Sequence, residues 1–142
     1  MRSTLGTTPR VRLSSRGQSH TCAILDDDTL KCWGANGDGE LGTGSSGYYN
    51  DPGWFASTVS TISLGAVPTS VSVSRTSSTT CAILTGGAVK CWGKNFQGQV
   101  GDGTTTFRTT PTDVDLGAGY TAKMIEVGYA TTCAILNDDS IK

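Results

Sequence analysis

Histidine, long apolar runs and clustered charge are what this 142-residue chain lacks. Each absence removes a class of function. A single histidine, His20, leaves little for a zinc site, which usually brings closely spaced cysteine pairs together with histidines. No apolar stretch approaches the roughly twenty residues needed to cross a bilayer, so no membrane span is expected. The first residues, Met1 to Gly6, lack the apolar core of a signal peptide. Eleven Lys and Arg against twelve Asp and Glu give a net charge of −1 and a pI near 5.7. They are scattered, so no wide basic surface attracts phosphate and nucleic acid is not an expected partner. Proline is scarce at four residues, glycine abundant at nineteen, and charged residues reach only 16%. With plentiful Ser and Thr, that composition suits short strands joined by tight turns, an all-β chain.

What is present is repetition. Thr21-Cys22-Ala23-Ile24-Leu25 returns as Thr80-Cys81-Ala82-Ile83-Leu84 and as Thr132-Cys133-Ala134-Ile135-Leu136. Twice the phrase is followed by a second, Lys31-Cys32-Trp33-Gly34 and Lys90-Cys91-Trp92-Gly93, and then by Asn-x-x-Gly-x-Leu/Val-Gly. The third copy stops at Lys142, one residue before its second cysteine is due. Spacings of 59 and 52 residues between the leading cysteines make this a repeat array of two full units and a truncated third.

Each unit reads as strand, turn, strand. The turns are Asp26-Asp27-Asp28, Thr85-Gly86-Gly87 and Asn137-Asp138-Asp139. A three-residue hairpin loop needs its last residue in the left-handed region, which Gly enters freely and Asp tolerates. That turn sets the register: Leu25 closes opposite Thr29, Ile24 faces Leu30, Ala23 faces Lys31 and Cys22 faces Cys32. One face then carries Cys22, Ile24, Leu30 and Cys32, and the other Ala23, Leu25 and Trp33. A hairpin apolar on both faces must be covered on both, as in stacked sheets. Val71-Ser72-Val73 and Met124-Ile125-Glu126-Val127 read as further strands, and about four short strands per unit is the pattern of a propeller blade.

These residues resemble the regulator of chromosome condensation repeat in its cysteine-paired form. The likeness rests on Cys-Ala-Ile-Leu, the turn, Lys-Cys-Trp-Gly-x-Asn-x-x-Gly and the following Leu/Val-Gly-x-Gly, over Thr21 to Ser45, Thr80 to Thr105 and Thr132 to Lys142. The resemblance implies a β-propeller, ordinarily of seven four-stranded antiparallel blades, of which this chain is a fragment with neighbouring blades missing. Its regions are a first repeat at 1–46, an insertion at 47–55, a second repeat at 56–105, and a connector with the truncated third repeat at 106–142. The chain departs from the pattern at Thr76, where Gly17 and Gly128 mark the usual glycine, and at Thr79 and Thr131, where the first copy has His20.

Five cysteines admit disulfide, metal or nucleophile. The register places Cys22 opposite Cys32, and Cys81 opposite Cys91, in non-hydrogen-bonded pairs where Cβ atoms approach most closely, which favours two disulfides and leaves Cys133 free. Two reduced cysteines packing as small apolar residues satisfy the same register in a reducing compartment. Disulfides would point to an extracellular or cell-surface location.

Other candidate sites dissolve on inspection. Gly42-Thr43-Gly44-Ser45-Ser46-Gly47 matches a dinucleotide fingerprint, but the helix that must follow is replaced by a loop sequence. The aspartate turns lack the alternate ligands and distal Glu of a calcium loop. His20 has no nucleophile at a recognisable spacing and reads as a packing residue. Trp33 and Trp92 read as core between blades. No catalytic residue, metal site or cofactor is therefore expected.

One segment breaks the period. From Gly44 to Cys81 the chain is seven residues longer than from Gly103 to Cys133, and Tyr48, Tyr49, Trp54 and Phe55 crowd the excess. Repeat proteins carry such insertions on one face, and Tyr and Trp are enriched in binding hot spots. These four residues are the candidate surface for a protein partner or a glycan, with folding back over the blade edge as the plainer alternative. The functional expectation is a non-catalytic scaffold for protein recognition. Its alternatives are nucleotide exchange or regulation of a small GTPase, and a non-catalytic part of a larger secreted enzyme.

Overall fold

A computed structural model describes residues 8–47 and 59–142. Ten strands and no helix make up the described residues. β1 (Val11–Arg16), β2 (His20–Leu25), β3 (Leu30–Gly34) and β4 (Ser60–Ile62) form one four-stranded antiparallel sheet in sequential order. β5 (Pro68–Val73), β6 (Thr79–Leu84), β7 (Val89–Gly93) and β8 (Arg108–Asp113) repeat it. β9 (Ala122–Val127) and β10 (Thr132–Leu136) begin a third, with Ile141 bridged to Ile135. The three sheets are successive blades of a β-propeller.

Turn chemistry fixes each central hairpin. Asp28, Gly87 and Asp139 take φ of 64°, 85° and 68°, the left-handed position the loop requires. The amides of Leu25, Leu84 and Leu136 then donate to Thr29, Ala88 and Ser140 at 2.8–2.9 Å. The middle aspartates cap the same turns: Asp27 accepts from the amide and hydroxyl of Thr29, and Asp138 from those of Ser140. Those hydrogen bonds hold both carboxyls below the usual range, with the side-chain bond the larger cause. The pairs Ile24–Leu30, Ala23–Lys31 and Cys22–Cys32 recur as Ile83–Val89, Ala82–Lys90 and Cys81–Cys91. Paired Cα atoms 4.1 Å apart bring both cysteine pairs into disulfide bonds, while Cys133 is free and exposed.

Both faces of the second blade are covered. Cys22, Ile24, Leu30, Cys32 and Ile62 of the first blade pack on Val73, Ala82, Leu84 and Trp92 of the second. On its far side Cys81, Ile83, Val89 and Cys91 meet Ile125, Val127, Ala134 and Leu136 of the third. The period-two alternation thus divides each hairpin between two cores. Where no sheet follows among the described residues, the third hairpin leaves Met124 and Ile141 exposed. Trp33 is half-buried, whereas its counterpart Trp92 is fully buried.

One register differs from the sequence expectation. The turn before the cysteine strand closes by Gly17 amide to His20 carbonyl in the first blade and Gly128 to Thr131 in the third, but by Ser74 to Thr79 in the second. Ser74, not Thr76, therefore stands at the glycine position, and two extra residues lengthen the turn behind it. Counting back from the cysteine misplaced the departure because the insertion lies inside the counted interval. Ser74 is fully buried, and its hydroxyl donates to the Gly128 carbonyl at 2.8 Å. The neighbouring position tolerates no side chain: a Cβ on Gly17 would lie 2.5 Å from the Ser74 carbonyl oxygen. The aromatic insertion, with Tyr48, Tyr49, Trp54 and Phe55, lies outside the described residues.

Peptide mapping without reduction should recover Cys22 linked to Cys32 and Cys81 linked to Cys91, with Cys133 alone open to alkylation. Each bond closes a short loop, so reduction should lower stability by about 2–3 kcal/mol per bond. Recovery of all five thiols free after oxidative expression would contradict the pairing.

Candidate functional site

The joint between the first two blades converges on one main-chain oxygen. Glu40 carbonyl accepts the indole Nε1–H of Trp92 at 2.9 Å and the Thr80 hydroxyl at 2.9 Å. The loop can come this close because position 42 is glycine: a Cβ there would lie 2.8 Å from Trp92 Nε1. His20 Nε2 stands 2.7 Å from Thr80 Oγ1. The threonine's one proton is directed at Glu40, so Nε2–H is the donor to Thr80 and Nδ1 carries no proton. Buried Nδ1 has no partner among the described residues. The second joint repeats the pattern, with the Thr132 hydroxyl donating to the Gln99 carbonyl at 2.6 Å.

The loops that supply these carbonyls are pinned by a buried asparagine. Asn36 Oδ1 accepts from Leu41 N at 3.1 Å, and Asn95 Oδ1 from Val100 N at 2.9 Å. Their amides donate onward, Asn36 to the Ser45 carbonyl and Asn95 to the Thr104 and Thr106 carbonyls. Glu40 Oε2 accepts the Asp38 amide at 2.7 Å, and Gln99 Oε1 the Gln97 amide at 2.9 Å. Asp102 is paired with Arg108 and caps Thr104. These buried polar groups are committed to loop shape.

Two buried ionisable groups sit at the first joint. Burial pushes His20 down from 6.5 to about 4, since a second proton would go to a nitrogen with no acceptor beside it. Burial raises Glu40, against backbone hydrogen bonds that favour its anion. Asp38, buried in the same loop, adds to the rise at Glu40, and no nucleophile is paired with either group among the described residues. No cluster of three metal-ligating side chains occurs among the described residues.

Everything exposed at this end of the blades is different in kind. The turns β1–β2, β5–β6 and β9–β10 adjoin one another here, linked by Gly17 against Ser74 and by Ser74 to Gly128. The loops after β3 and β7 share the end, since the Lys94 amide donates to the Ser78 carbonyl and the Ala35 amide to that of Ser19. Along the inner strands runs a groove lined by Ser14, Ser15, Arg16, Gln18, Ser72, Arg75 and Glu126. In the loop after β7, Phe96 is 63% exposed, its ring tilted against that of Phe107 at a centroid distance of 4.3 Å with Lys94 Nζ 5.9 Å above it. Tyr129, in the third of these turns, is 67% exposed.

The signature of the regulator of chromosome condensation (RCC1) repeat matches residues 13–40 and 69–99 in one form and 86–135 in another. The chain belongs to the RCC1 repeat family. Solved structures agree on the fold. Human WBSCR16 shares 15% identity at a TM-score of 0.77, over 99% of this chain and 33% of its own. Prp20p of Saccharomyces cerevisiae, whose structure is described with its binding to Gsp1p and histones, shares 16% at 0.74 over 92% and 32%. The ectodomain of the Physcomitrella patens receptor kinase CR4 shares 18% at 0.55 over 99% and 31%. The chain thus spans about a third of the length of these proteins.

Of the residues singled out in the sequence, the four paired cysteines lie inside the blades and His20 at the joint. The structure does not bring Cys133 near either pair as a ligand. Sequence reasoning missed Thr80 and Thr132, although the threonine of the repeated phrase was the signal. It also missed Arg16, Arg75, Lys94 and Phe96, which carry no repeat signature because they differ between units.

His20 and Glu40 give the joint opposite pH dependences. His20 is depressed, so its contribution is present above 6.5 and is lost as pH falls toward about 4. His20→Thr, the residue of the other two units, should abolish an acid destabilisation of about 3 kcal/mol across that window. Glu40 is raised, so its contribution is full below its ordinary value and is lost as pH rises through the raised one. Glu40→Gln should therefore stabilise the protein at neutral pH, as urea midpoints measured from pH 4 to 8 will test.

Proposed function

We propose that this chain is a non-catalytic scaffold that mediates protein–protein recognition through the loops at the Arg16–Phe96 end of its blades. The supporting observation is the division between positions where the units agree and where they differ. Agreement falls on buried or half-buried groups that build joints and loops: Asn36 and Asn95, Thr80 and Thr132, Trp92. Difference falls on exposed side chains of one end, where Gln18, Arg75 and Tyr129 occupy matching turn positions and Phe96 replaces Gly37. A surface that varies on a constant frame suits recognition more than chemistry, which needs converging groups. Prp20p, a relative in fold, is described as binding Gsp1p and histones. Regulation of a small GTPase is the second reading, and that binding of Gsp1p is what favours it. Two disulfides fit an oxidising, extracellular setting.

Tyr48, Tyr49, Trp54 and Phe55 are proposed as a further part of this surface. Their segment leaves from Gly47, whose amide donates to the Asn36 carbonyl within the same loop, and rejoins the blade at β4. Trp54→Ala should leave thermal stability unchanged and weaken capture of partners from native extract by roughly thirtyfold, the loss of about 2 kcal/mol typical of a buried anchor. Stability that falls while the captured partners stay the same would make the cluster core packing and end this part of the proposal.

A further inference from the structure

The charges of this molecule are sorted by end. At the end bearing the β2–β3 turns every exposed aspartate among the described residues is engaged. Asp28, Asp113 and Asp139 pair with Arg12, Lys90 and Lys123. Asp26 accepts the Arg10 amide, Asp115 that of Gly117, and Asp27 and Asp138 cap their turns. At the opposite end most acids are withdrawn instead: Asp38 and Glu40 are buried and Asp102 is paired with Arg108, which leaves Glu126 as the one exposed, unpaired acid there among the described residues. The cations there are left over. Arg16 and Arg75 are exposed, line one groove, and make no ion pair or side-chain hydrogen bond among the described residues. Lys94 has only the Phe96 ring. Glu126 is the one carboxylate lining the groove and pairs with neither arginine, so two guanidinium forks face the groove against a single acid, and a further carboxylate from outside would find them unoccupied.

We propose that the groove between the inner strands of the first two blades docks an acidic peptide segment of a protein partner. A glutamate or aspartate would be held between Arg16 and Arg75 with a neighbouring apolar side chain against Phe96. Three features select this occupant. The two arginines come from successive blades and face a groove floored by the hydroxyl-bearing Ser14, Ser15 and Ser72, which suits a single carboxylate better than a polymer of phosphates. Glu126 closes the third-blade side of the groove and repels negative charge there, so an extended polyanion is opposed where one acidic side chain is not. Phe96, exposed in the loop whose Lys94 amide bonds to Ser78 of the Arg75 turn, offers apolar contact of the sort protein interfaces use at their centre. The inference rests on the recognition reading above and narrows it to a surface and a partner class.

Fluorescence anisotropy of the 142-residue chain tests it with a labelled peptide of glutamates flanking a central phenylalanine. The same peptide with glutamines and a single-stranded thymidine oligonucleotide serve as comparisons. The glutamate peptide should bind and weaken with salt, and the glutamine peptide should not. Arg16→Gln with Arg75→Gln should lower affinity about tenfold or more, and Glu126→Gln should raise it. Equal binding of the glutamine peptide, salt-independent binding, wild-type affinity in the double variant, or no binding would overturn the proposal. Preferential binding of the oligonucleotide would replace it with a nucleic-acid site. Circular dichroism checks that the variants fold, and the salt series on the unaltered chain decides the matter if they do not. Partners captured through Trp54 without any peptide affinity would sink this groove while leaving the scaffold reading standing.

Discussion

The carbonyl oxygen of Glu40 holds this structure together more than any side chain does. A blade apolar on both faces will stack on any similar sheet, and burial alone fixes neither the distance nor the stagger. Trp92 and Thr80 supply that precision by donating to the one oxygen from two adjacent strands of the next blade. A buried indole N–H without an acceptor costs a kcal/mol or more, so the blades settle where this oxygen is within reach. The loop must then present its carbonyl rigidly, which explains the buried asparagine inside it and the glycine beside the indole. Asparagine, glycine, threonine and tryptophan are thus four parts of one hydrogen-bonded joint.

That dependence accounts for which residues the units share. Thr132 meets Gln99 as Thr80 meets Glu40, and Asn95 pins its loop as Asn36 does. Glu40 and Gln99 are interchangeable in the frame because the joint uses their main chain, while either side chain accepts the amide two residues before it. The carboxylate in the first unit gains nothing from burial that the carboxamide lacks. Its rise in pKa records that mismatch. His20 is a similar local exception: the second unit has Thr79, whose hydroxyl donates to the Lys94 carbonyl, whereas the imidazole reaches across to the next blade.

Much of the frame was legible in the sequence because its causes are local. A left-handed third turn residue dictates hairpin register, register dictates which cysteines face each other, and two apolar faces demand neighbours. Asp28, Gly87 and Asp139 carry that whole chain of inference. What was not legible depends on distance or on counting. Nothing near Trp92 announces that its acceptor is a main-chain oxygen 52 residues earlier. The two-residue lengthening after Ser74 was hidden because a count from the cysteine assumes equal turns, and a serine hydroxyl replaced the glycine that would have marked the place. The exposed cations were invisible for a further reason. Net charge is nearly balanced, and only the fold shows that the described acids of one end, Glu126 apart, are buried or paired.

The separation of frame from surface also explains how little of the chain need vary for the exposed chemistry of one end to change. Each turn between the first and second strands of a blade is held at both ends: its first residue bonds across to the last, and Ser74 bonds on to the next blade. The residue just inside is free of these duties, and there the units carry Gln18, Arg75 and Tyr129. An amide, a guanidinium and a phenol are thereby displayed in a row on backbone fixed by neighbouring blades, with little conformational entropy left to lose when a partner arrives. Substitution at such a position changes what the surface offers without touching the joint beneath it. A propeller built on a shared carbonyl joint can therefore change the chemistry of one exposed turn residue at a time while its frame stays the same.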